Sequence, residues 1–80
     1  MNNDWKSRIT LNPSVLLGKP TIRGMRISVE QVLRALAGGL SETEILQDYP
    51  DLDVDDLRAC QDYAADLVAS ERASGIRSST

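Results

Sequence analysis

Residues 27–57, ISVEQVLRALAGGLSETEILQDYPDLDVDDL, repeat one local plan three times. Ser28, Ser41 and Asp53 each carry a side-chain oxygen able to accept an otherwise unpaired N–H at the start of a helix. Three positions on stand Gln31, Glu44 and Asp56, polar or acidic as in a capping box. The Asp56 version is expected to be the weakest, because its side chain is short. Apolar pairs flank each cap, Ile27 with Val32, Leu40 with Ile45 and Leu52 with Leu57, at the spacing of a hydrophobic staple. Once could be coincidence, but three occurrences fix three helix starts.

The helix ends follow from the same stretch. Gly38–Gly39 closes the first helix, since glycine accepts the left-handed conformation that a helix terminus often needs. Pro50 stops the second after about Tyr49. The third is expected from Val54 to about Ala69 or beyond. Val29, Val32, Leu33 and Leu36 form the inner face of the first helix, and Ile45, Leu46 and Tyr49 that of the second. Leu57, Cys60, Ala64, Leu67 and Val68 form the inner stripe of the third, with Tyr63 beside it. The links are short, so the helices must be neighbours, and the Tyr49–Asp53 turn has about the length found in helix-turn-helix units.

Before these helices the pattern changes. Arg8–Ile9–Thr10–Leu11 alternates polar and apolar, as a short strand does, and Asn12–Pro13 breaks it. Thr21–Ile22–Arg23 and Met25–Arg26–Ile27 suit a second extended piece with a kink at Gly24. Such short strands need a partner. The expected fold is mainly α: a three-helix, helix-turn-helix-like bundle with a short N-terminal β arm or hairpin. Residues 8–69 make this one domain, between a flexible N-terminus (1–7), whose Trp5 has no evident docking place, and a flexible tail (70–80).

With 80 residues the chain is at most one domain, and a domain so small is marginal unless it associates. It has no Phe and only three other aromatic residues, so the core must be aliphatic. The single cysteine, Cys60, cannot form an internal disulfide, and no apolar run resembles a signal peptide or a membrane span. A cytoplasmic protein is expected.

Net charge is −3, but it is unevenly spread. Residues 1–39 hold six basic against two acidic side chains, a net +4; residues 40–80 hold three against ten, a net −7. Opposite halves suggest two contact surfaces, or head-to-tail packing between subunits. Lys19, Arg23, Arg26 and Arg34 crowd into residues 18–34 with Glu30 as the one acid. They are the candidates for phosphate or minor-groove contacts. The competing reading is that Arg23 and Arg26 pair with acids of the third helix, in the same chain or a second subunit. Major-groove reading by that helix is disfavoured, because Asp51, Asp53, Asp55 and Asp56 at its start would face phosphates, with only Arg58 opposing them.

Catalysis finds little support. There is no His, Cys60 sits on an inner stripe, the aspartates lack the glycine and glutamate of an EF-hand loop, and Gly18 and Gly24 do not form a phosphate loop. No enzyme activity, cofactor, catalytic residue or metal site is expected.

The string GKPTIRGMRISVEQVLRALAGGLSETEILQDYPDLDVDDLRACQDYA resembles the domain-of-unknown-function family numbered 433. Gly18–Lys19–Pro20, Arg23–Gly24, Arg26, Gly39, Tyr49–Pro50 and Tyr63–Ala64 fall in its register. Met25 stands where threonine is usual, Leu17 where a second glycine is common, and Ser28 where proline is usual. The resemblance implies a homeodomain-like or winged-helix-like core. It also implies a role like that of the antitoxins of type II, VapBC-like pairs, whose toxin is a PIN-like ribonuclease. The expected function is such an antitoxin, a homodimer that binds operator DNA and regulates its own operon. Arg72 and Arg77 would then answer the toxin's metal-holding carboxylates. The alternative is a protein-interaction or dimerisation module without nucleic-acid binding, its basic arm serving the dimer contact.

Overall fold

Each expected helix start is present, and the capping geometry explains why. The computed structural model describes residues 5–73. Helix α1 spans Val29–Ala37, α2 Glu42–Asp48 and α3 Val54–Ala73. At α1 the Ser28 hydroxyl accepts the Gln31 N–H while the Gln31 side chain accepts the Ser28 N–H, both at 3.0 Å. Ser41 and Glu44 repeat the exchange at α2, at 3.1 and 2.8 Å. The third box also closes: the Asp56 N–H donates to Asp53 Oδ1 at 2.9 Å, and the Asp53 N–H to Asp56 Oδ2 at 3.0 Å. The short aspartate therefore reaches, and Asp56 does much more besides.

Helix α1 ends as its glycines require. The Leu40 N–H donates to the Ala35 carbonyl and the Gly39 N–H to the Leu36 carbonyl, the paired bonds of a Schellman motif. Gly39 takes φ +101°, a conformation that costs a side chain dearly.

The N-terminal arm is a small antiparallel ribbon. Strands β1 (Ile9–Thr10) and β2 (Thr21–Ile22) pair Ile9 with Ile22 and Thr10 with Thr21. Beyond β2 the chain does not kink and continue, as expected from Gly24; it reverses. Arg23 and Gly24 both adopt left-handed φ, +49° and +75°, and the Met25 N–H closes the turn on the Ile22 carbonyl at 2.8 Å. Residues 27 and 28 then return beside β2, with the Ile22 N–H on the Ile27 carbonyl and Thr21 bridged to Ser28. Two adjacent left-handed residues favour a tight hairpin turn over a bend.

Among the described residues nine apolar side chains are buried: Ile9, Ile22, Val29, Val32, Ile45, Leu52, Leu57, Ala59 and Cys60. None is aromatic. Leu33, Leu36, Leu46 and Tyr49 pack partly buried around them. The fold is thus a three-helix domain with its β ribbon folded into the core through Ile9 and Ile22. Trp5 now has a place: its ring meets Tyr63 edge-on, centroids 4.7 Å apart, and its Nε1 donates to Asp66 of α3 at 2.7 Å.

The stripe on α3 outruns this core. Leu57 and Cys60 are fully buried, but Leu67 is 52% and Val68 63% exposed. A helix of 20 residues is about 30 Å long. Beyond its first half α3 is covered only in part, by Trp5 at Asp66. No helix among the described residues is long and apolar enough to cross a membrane.

Candidate functional site

The ribbon's register sets the first feature. Continuing the Ile9–Ile22 pairing brings Arg8 beside Arg23, whose N–H donates to the Arg8 carbonyl at 2.8 Å. Two cations side by side on a ribbon repel unless an anion joins them. Asp56, in the first turn of α3, is that anion, and its side chain is fully buried. Its Oδ1 accepts from Arg8 Nη1 at 2.9 Å and Arg23 Nε at 3.0 Å. Its Oδ2 accepts from Arg23 Nη2 at 2.7 Å and the Asp53 N–H at 3.0 Å. All four acceptor directions of the carboxylate are filled. Arg8 Nη1 also reaches Asp53 Oδ1 at 3.0 Å, and Arg23 Nη2 the Asp51 carbonyl at 2.7 Å.

Burial by itself would push the Asp56 pKa up. The hydrogen bonds from Arg23, the Asp53 backbone and Arg8 outweigh that and hold the carboxyl below its ordinary value. The same bonds to Asp56 raise both arginines. The junction therefore ties the arm to the start of α3. Arg23 keeps its left-handed backbone, a cost of about 1–2 kcal/mol for a residue with a side chain, because its head is anchored there.

The other nominated cations are differently placed. Lys19 Nζ and Arg34 Nε share Glu30, at 3.0 and 2.9 Å, and hold its pKa below the usual value. These pairs are exposed, so they are weak and open to exchange. Arg26 is exposed and has no carboxylate partner among the described residues. Among these cations, Arg23 is bound to Asp56 with its side chain 41% exposed, and Lys19 and Arg34 flank Glu30. Arg72 lies in the last turn of α3 rather than on a loose segment, and its side chain is outside the described residues. Arg77 lies wholly outside them. Cys60 is buried, and burial with the nearby Asp56 charge pushes its thiol up to about 12, far from a reactive thiolate.

The second feature is apolar. Between α1 and the exposed end of α3 runs an open groove of about 410 Å³, walled by Pro20, Val29, Leu33, Ala37, Tyr63, Ala64 and Leu67. Glu30 and Arg34 form its polar rim. They also border a second groove of about 410 Å³ beside Leu16 and Leu17. There Leu17 is 97% exposed at φ +59°, inside a turn closed by the Gly18 N–H on the Val15 carbonyl and the Lys19 N–H on the Leu16 carbonyl. Among the described residues no three His, Cys, Asp or Glu side chains gather as metal ligands would.

The model of the family described as a protein of unknown function, DUF433, matches residues 9–64. The chain belongs to this family. It is also 36% identical over 56 residues to y4eO, an uncharacterized protein of Sinorhizobium fredii, covering 70% of this chain and 25% of that protein. The chain thus spans about a quarter of the length of the curated relative it matches. No solved structure matches it.

The DUF433 match takes in Arg23, Asp56 and the whole of α1 and α2, but neither Arg8 nor the end of α3. Arg8 escaped sequence reasoning because its role depends on strand register. The available signal was its place one residue before Ile9, opposite Arg23. The sequence places Asp56 in a capping box and among the outward carboxylates of α3; the structure buries it instead, because the ribbon folds back over α3, which no local pattern records.

Proposed function

We propose that this domain is a protein-docking module, its contact surface the groove between α1 and the end of α3, and that nucleic-acid binding is not its role. One observation carries the reading. The apolar stripe of α3 continues past the core to Leu67 and Val68, so half a helix and a groove beside it offer apolar surface to solvent. A contiguous apolar patch rimmed by polar residues is what protein contact surfaces present. The basic segment offers less, since Arg23 is bound to Asp56 and the start of α3 is crowded with aspartates. The relative's greater length agrees with a small module working beside other parts. Capture of a toxin, as the family resemblance implies, would be one instance of such docking.

A photo-crosslinking amino acid at position 67, introduced in living cells, tests this. A protein adduct at 67, with none from the same group at the exposed Gln47 of α2, is the expected result. Equal labelling at both positions, or none at 67, contradicts it.

A further inference from the structure

We infer that the groove's occupant is the end of α3 from a second copy of this chain, each copy seating its α3 in the other's groove. This rests on the docking reading above and names its partner.

The groove states what it needs. Its walls are apolar, so the incoming segment must present apolar side chains. Its rim carries Glu30 and Arg34, and Lys19 of the adjoining groove also holds Glu30, so two cations surround one acid there, with the Arg34 side chain 79% exposed. An acidic amphipathic helix fits that chemistry. The chain contains one whose apolar side is unspent. Past Cys60, α3 displays Leu67 and Val68 among Asp62, Asp66 and Glu71, and Glu71 lies one turn from Leu67 on the same side. Ala64, Ala65 and Ala69 on this half allow two backbones to approach closely.

Symmetry makes the arrangement self-consistent. The groove lies between α1 and α3 of one copy and is walled by its own Leu67. A second α3 entering it must cross the first near Leu67, and a two-fold axis there fills both grooves in one closed contact. That contact sets the acidic helix of each copy against Arg34 and the neighbouring Lys19 of the other, so the +4 half of one copy faces the −7 half of its partner.

Sedimentation equilibrium of the full chain tests this, from about 1 to about 300 µM, a range spanning ordinary self-association. The wild type should show twice the chain mass at the upper end. Leu67→Glu should raise the dissociation constant about 100-fold, as loss of a central apolar anchor does, with an unchanged circular dichroism spectrum. Arg34→Glu, at a site too exposed to threaten folding, should weaken the dimer and make it less sensitive to salt. A wild type that stays monomeric overturns the second-copy assignment, and so does a dimer that both variants leave intact. The crosslink at 67 remains the separate judge of docking itself. An adduct there with a different protein overturns the present inference and sustains that reading.

Discussion

At the scale of single residues, Asp56 holds more of the molecule together than any other polar group among those described. It caps α3, anchors Arg23 and joins Arg8, all from a buried carboxylate. Removing one member of a buried charged cluster leaves the others uncompensated, typically at about 3–5 kcal/mol. Asp56→Asn should therefore lower the unfolding free energy by about that amount in a urea titration. The pH dependence has a definite sign. A carboxyl whose folded pKa lies below its unfolded value stabilises fully above about pH 4, the ordinary range, and loses that contribution as pH falls through the folded value. The wild type should thus lose stability on acidification more steeply than Asp56→Asn. Sequence patterning exposed Asp56 as a cap position, and the competing reading of Arg23 as the partner of an α3 acid describes what the structure contains. The same reading applied to Arg26 has no counterpart in the structure, because Arg26 points to no acid among the described residues. Alternation along a strand cannot tell which of two nearby arginines faces inward once a turn reverses the chain.

At the scale of elements, local chemistry was legible wherever it is local. The capping boxes at Ser28 and Ser41 and the glycine stop act within a few residues, and all are present. The two glycines after α1 can be told apart. Gly38 has ordinary helical φ, whereas Gly39 sits at φ +101° with open space around it. Gly39→Ala should cost about 1 kcal/mol through backbone strain alone, as a thermal melt against the wild type would show. What periodicity could not supply was where a stripe stops being core. Leu57 and Leu67 obey the same spacing on α3, yet one is buried and the other half exposed. Periodicity says which side of a helix is apolar; burial depends on how far the neighbouring elements extend. The reversal at Gly24 was missed for a related reason, since the left-handed state of Arg23 is held by a residue 33 positions away.

At the scale of the whole molecule, the division of charge takes on a structural meaning. The basic first half and acidic second half meet inside one subunit at Arg8, Arg23 and Asp56, which spends part of the positive field before any partner arrives. What remains outward includes an apolar groove rimmed by Glu30 and Arg34. The decisive contrast is with a polyanion. If Lys19, Arg26 and Arg34 together contacted phosphates, affinity for duplex DNA would fall with a log–log salt slope of about −3. The most direct measurement is fluorescence anisotropy of labelled duplex DNA, including the segment upstream of the protein's own reading frame, titrated with the full chain at low and moderate salt. The expected result is no saturable binding beyond weak, non-specific association at the lowest salt. Tight, saturable binding with that slope, abolished by Arg26→Ala in a folded protein, would contradict it.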